Sequence, residues 1–283
     1  MDSLYNYLKE RFPALPLFVF TILTLSGIAK NIQYDGKYIH VLLLALVYLG
    51  FLFHLRILDE FKDYNYDKKY HSQRPVQRGS ISLTTIRNLG IINLLVITLL
   101  SFIVNHSYQF ILFVFVILYT FLMFKEFYIK SFYEKSPTIY LFSHQIVFIP
   151  LYLYFFLSLE NTINFLGGLS SASLFIYTII PVILVEIGRK MNHRLDSKGN
   201  KTNDTYVYVW GEKNTILIFF LLVMFGGFMG RFINNFLLIY SNMIVSFGLL
   251  LLIIGMFEPK KIMENNMLIT ILCVLGIPLM LLL

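Results

Sequence analysis

Nine runs of apolar residues, most of them about 15 to 25 long, constrain this chain more than any other feature. They fall at about 14–29, 38–57, 82–104, 108–128, 138–158, 167–187, 214–230, 232–256 and 266–283. Wound as helices, runs of that length match a bilayer core of about 30 Å. A soluble fold of 283 residues that is 57% hydrophobic has too little interior to bury them, because surface shrinks only slowly relative to volume. Lipid is therefore the solvent for most of the chain. In lipid, spanning segments must be helices or a closed barrel, since unpaired backbone groups are too costly there. The runs lack the alternation of barrel strands, over about ten residues each. The expected fold is all-α: a polytopic membrane helical bundle of about nine transmembrane helices, forming a single membrane domain over residues 1–283.

The first run could pass for a secretory signal, but LTLSGIAKN has no convincing small-x-small cleavage site and eight more runs follow. Placing the amino terminus and every second loop on one side puts 20 of the 23 Lys and Arg residues there, against 3 on the other. The crowded side is then cytoplasmic by the positive-inside rule. The expectation is an integral protein of a prokaryotic cytoplasmic membrane, with its carboxyl terminus outside. Topology and anionic lipid account for the net charge of +7, so no nucleic-acid partner is expected. The single cysteine, Cys273, excludes an internal disulfide framework.

Charge is unevenly spread. Residues 56–79, RILDEFKDYNYDKKYHSQRPVQRG, hold ten of the 39 charged residues. Asp59, Asp63 and Asp67 recur every four residues, which on a helix keeps them within roughly 80° of one face. One reading is a solvated loop helix whose Lys62, Lys68 and Lys69 soften the repulsion. The other is a divalent metal: oxygen-only ligands without His or Cys suit Mg²⁺, which takes one or two carboxylates and completes its shell with water and phosphate. Arg74-Pro75 and Arg78-Gly79 follow. Proline keeps its predecessor out of helix, and arginine grips phosphate through its planar fork. Acidic ligands and arginines at a membrane interface suit a diphosphate head on an oily tail. Arg78 reads equally well as an ordinary positive-inside residue.

DEFKDYNYDKKYHSQRPVQRG resembles the first aspartate-rich motif of the UbiA superfamily of intramembrane prenyltransferases, N-D-x-x-D-x-x-x-D, followed in many members by R-P and then glycine. Asp63 and Asp67 match its second and third aspartates, and Arg74-Pro75 falls at the matching distance. Asp59 stands where the family usually has Asn, and Glu60 where it has its first Asp. The resemblance covers the whole chain in kind: nine helices, an inside amino terminus, and polar segments after helices 2 and 6. It implies Mg²⁺ on Asp59, Asp63 and Asp67, and a polyprenyl diphosphate whose head group Lys68, Arg74, Arg189 and Lys190 neutralise. Lys125 lies close to where the family has a diphosphate-facing lysine. The prenyl group would pass, within the bilayer, to an acceptor of aromatic or lipid type.

The second motif departs from the family. Where members carry D-x-x-x-D, this chain has VEIGRKMNHRLDSKGNKTNDTY, with acids only at Glu186, Asp196 and Asp204. Glu186 with Arg189 and Lys190 reads as i,i+3 and i,i+4 ion pairs, or else the two cations supply directly the charge of a second metal. Asp59 and Glu186 sit at comparable places, each at the end of a run, which suggests two similar halves. His144, inside the fifth run, would orient an acceptor or take its proton, or bond a neighbouring helix. Two rival functions stay open on these residues: an intramembrane terpene cyclase on the same fold, and a non-catalytic transporter or lipid-binding membrane protein.

Overall fold

A computed structural model describes residues 2–105, 107–129, 137–160, 168–195, 199–202, 204–234 and 237–282. Among them all regular structure is helical, apart from one isolated bridge between Leu195 and Lys201. Seven helices are long and apolar enough to cross a membrane, and shorter apolar helices, Tyr108–Phe124 and Asn266–Met280, lie on the fourth and ninth expected runs. The chain is an integral membrane protein with two compact units: 1–25 with 36–158, and 26–35 with 159–283.

The first unit opens with α1 (Asp2–Arg11), then the part of α2 (Ala14–Asn31) up to Leu25, and α3 (Tyr38–Lys62). A short α4 (Tyr64–Tyr70) is followed by α5 (Leu83–Val104) and α6 (Ser107–Phe124). The expected fifth span, Thr138–Glu160, is one of the seven, and a turn divides it into two helical segments, α7 (Pro137–Gln145) and α8 (Phe148–Glu160). Pro150 has no amide to donate back to Ile146, so the hydrogen-bonded ladder is broken just where the two meet. The expected fourth span ends early, at Phe124. Beyond it Glu126, Phe127 and Tyr128 take positive φ (49°, 51° and 62°), a left-handed turn that no α-helix continues through.

In lipid the packing of one helix on another gains little from the hydrophobic effect, so close approach and polar pairs carry the specificity. α3 and α5 touch where each carries glycine. A Cβ on Gly50 would collide with Ile97, and one on Gly90 would meet Ile57 at 2.9 Å. Asn93 seals the contact by donating to the Gly50 carbonyl at 2.9 Å. Tyr48 and Tyr152 share a hydroxyl hydrogen bond of 2.9 Å inside a cluster of buried rings that includes Phe51 and Phe155. His54 Nε2 and Thr120 Oγ1 meet at 3.0 Å, both buried. Links of this kind average about 0.6 kcal/mol each, so the helices depend on having many of them.

The second unit holds α9 (Leu169–Gly188), the short α10 (Tyr206–Trp210), α11 (Glu212–Gly230), α12 (Leu237–Phe257), α13 (Pro259–Glu264) and α14 (Asn266–Met280). Here too small residues set the approach: Gly226, Gly227 and Gly230 are buried on α11. Asn266, opening α14, donates to the Gly188 carbonyl at 2.9 Å and so satisfies the end of α9.

Candidate functional site

α3 does not stop where its apolar run does. It continues through Arg56 and Asp59 to Lys62, because charged side chains end a membrane span without breaking a helix. Backbone bonding then persists through a bend at Asp63 (φ −92°, ψ 5°). The amide of Asp63 donates to the Asp59 carbonyl at 2.9 Å, that of Asp67 to Asp63 at 2.8 Å, and that of His71 to Asp67 at 2.8 Å. The four-residue spacing of the carboxylates therefore survives the bend. Pro75 and Gly79 turn the chain back: the Ser80 amide reaches the Pro75 carbonyl at 2.9 Å, and Gly79 takes φ 79°, which a side chain would disfavour.

The acids meet different fates. Glu60 is fully buried, accepting from Arg11 Nε at 3.0 Å and from the Arg56 guanidinium. Asp67 is buried too; it is paired with Arg74 and lies 3.9 Å from Arg11 Nη2. Asp59 is the open one, its side chain 38% exposed, with Lys62 Nζ at 3.8 Å and Arg56 at 4.0 Å. Asp63 is half-buried. Burial first, and then the charge on Asp59, push its carboxyl up to about 6, against the opposing pull of Lys62. A solvated helix face would leave such groups in water; here Glu60 and Asp67 are neutralised inside the protein.

Among the described residues no group of three or more His, Cys, Asp or Glu side chains is arranged to hold a metal ion. Mg²⁺ does not require one, since one or two carboxylates suffice when water and phosphate complete the shell. Asp59 and Asp63 fit that donor set. Asp67, expected beside them, is turned to Arg74.

Lys62 was legible only as a neighbour softening the charge of the ladder. Its Nζ donates to Tyr140 Oη on α7 at 2.7 Å, and its side chain is 11% exposed. A cavity of about 20 Å³ lies beside it, lined by Asp59, Thr120 and His144 and by the apolar Leu55, Leu58 and Phe124. His144 Nδ1 lies 2.9 Å from the Tyr140 carbonyl. A carbonyl only accepts, so the ring proton sits on Nδ1 and the basic lone pair on Nε2. The other expected head-group residues of this unit lie differently. Arg78 is bound to Glu10 at 2.6 Å and 3.1 Å, Lys68 is exposed, and Lys125 is exposed with its ammonium over the Phe124 ring at 5.2 Å.

In the second unit Glu186 ends α9 with both expected ion pairs formed, to Arg189 at 2.6 Å and to Lys190 at 2.8 Å. Tyr206 Oη also donates to Glu186, at 3.3 Å, and Lys190 Nζ sits 5.2 Å from the centre of the Tyr206 ring. Trp210 stacks on Tyr206 with ring centres 4.4 Å apart, which steadies the Tyr206 ring. Asp204 pairs with Arg194 at 2.8 Å; Asp196 lies outside the described residues. Nothing in the sequence but the compact YVYVW run sets Tyr206 apart.

No protein-family model matches the sequence, and no curated protein matches it. Solved structures do. A digeranylgeranylglyceryl phosphate synthase is similar over 99% of each chain, with a TM-score of 0.60 at 18% identity. A UbiA homologue from Archaeoglobus fulgidus, bound to Cd²⁺, is similar over 98% of this chain and 99% of its own, with a TM-score of 0.54 at 13% identity. The all-helical UbiA-type fold that the first motif implied is thus the fold of the chain.

Proposed function

We propose that this protein transfers a prenyl group, within the membrane, from a polyprenyl diphosphate to an acceptor of aromatic or lipid type. One observation carries the reading. On a UbiA-type fold, the end of α3 brings together two carboxylates that suit Mg²⁺, Asp59 and Asp63, with Lys62 on the same segment, and the turn beyond fixes Arg74. The Cd²⁺ held by one structural neighbour supports a divalent ion.

When bound, the ion would neutralise diphosphate oxygens and so make the diphosphate a better leaving group. The residues then divide the work. Asp59 and Asp63 would hold the ion, and Asp67 fixes Arg74 for the phosphate. Lys68 adds charge at the rim, with Arg78 and Lys125 as outlying cations. Within the second unit, Lys190 and Arg189, steadied by Glu186, are proposed as phosphate-binding cations that reduce the need for a second metal ion. As the C1–O bond of the donor breaks, its electron pair passes to the diphosphate, where fixed positive charge lowers the barrier. The allylic cation left behind bonds to the acceptor, whose proton passes to His144 Nε2.

Thermal unfolding of the purified protein with geranyl, farnesyl and geranylgeranyl diphosphates, with and without Mg²⁺, tests this without knowledge of the acceptor. A ligand that prefers the folded state raises the melting temperature. A rise that needs Mg²⁺ in wild type and vanishes in Asp63→Asn is expected. No rise with any of the three would overturn the reading.

A further inference from the structure

Lys62 stands inside the acidic motif with its ammonium committed in two directions. Tyr140 Oη accepts from it at 2.7 Å, and Asp59 Oδ1 lies 3.8 Å away. Lysine is a flexible chain that water normally holds in many conformations. This one is only 11% exposed, while its partner Asp59 is 38% exposed. The tether comes from another helix, α7, where the Tyr140 ring also stacks on His144 with centres 3.9 Å apart. A cation held 3.8 Å from Asp59, on the residue just before Asp63, does electrostatically part of what a bound ion would do.

We infer that Lys62, tethered by Tyr140, is a built-in counter-ion of Asp59 and Asp63 that weakens divalent-cation binding at this motif until substrate phosphate adds negative charge. The inference rests on the metal reading given above and deepens it. Substrate and metal would then load together, because phosphate supplies both the extra ligand oxygens and the negative charge that offsets the ammonium.

The test is direct binding of Mn²⁺, followed by electron paramagnetic resonance, to the full-length protein in detergent without diphosphate. Lys62→Met removes the charge, and its affinity should exceed that of wild type by about tenfold or more, given how strongly a unit charge acts at such range. Lys62→Arg, which keeps the charge, should bind as wild type does. Tyr140→Phe keeps the lysine but frees it to turn outward, so it should also bind Mn²⁺ more tightly, and it tests the idea even if Lys62→Met does not fold. Equal or weaker binding in Lys62→Met and Tyr140→Phe would overturn the counter-ion role alone. Absence of Mn²⁺ binding in every protein, with Asp63→Asn no different, would remove the metal reading and the counter-ion with it.

Discussion

At Asp63, burial and the neighbouring Asp59 carboxylate act in the same direction, holding the carboxyl at about 6 rather than in the ordinary carboxylate range. A raised acid binds its proton more tightly in the folded chain than in the unfolded one. Its contribution to stability is therefore complete below about pH 4 and is lost as the pH climbs through about 6. Asp63→Asn mimics the neutral form and cannot titrate. In the presence of a chelator, wild type should lose melting temperature relative to Asp63→Asn between about pH 4 and 7, by at most about 3 kcal/mol of stability. Parallel curves for the two proteins would show that Asp63 ionises freely in the fold. The residues themselves announced that Asp59 and Asp63 belong together, because four-residue spacing is a local property. Arg56 and Glu60 share that local spacing, but the second partner of Glu60 is not legible: Arg11 is 49 residues away, and no local pattern ties them.

Apolar length decides where the helices lie, and other terms decide where they end. α3 outruns its apolar stretch because no proline or glycine intervenes, and the fifth span, though long enough to cross, carries a turn just before Pro150. α1 carries no apolar run of spanning length, but Leu4, Tyr7 and Leu8 repeat at helical spacing and mark an apolar face. That face packs on Ile57, Val76, Ile81 and Ile86, under the turn that carries Arg74 and Arg78. The exposed Arg78–Glu10 pair is worth little in water, so α1 is held by this apolar packing together with the buried Arg11–Glu60 pair. Tyr7, fully buried in that cluster, is the residue to remove. Trypsin cannot cut before Pro75 but can cut after Arg78 once the turn opens. Tyr7→Ala should speed cleavage there by about tenfold or more, since proteolysis follows the population of the opened state. Unchanged cleavage would mean that the turn holds itself through its Pro75–Ser80 bonds.

Across the whole molecule, identity of 18% or less leaves a matching fold over nearly the full length, because bilayer thickness and backbone hydrogen bonding dictate much of it. A fold alone does not select a reaction, which is why the chemistry has to be argued from the end of α3. Orientation follows from a different physical term, the bias of 20 Lys and Arg against 3 between alternate loops. It makes a statement about opposite ends of α3. Lys37, just before it, should face outward, and Gln73, in the turn after α4, should face the cytoplasm; both are exposed. With the buried Cys273 replaced by Ser, Lys37→Cys should react with a membrane-impermeant maleimide on intact cells, and Gln73→Cys only after permeabilisation. The reverse pattern would invert the topology. It would also place the acidic motif on the face where diphosphate substrates made in the cytoplasm do not arrive, so the same labelling bears on function as much as on fold.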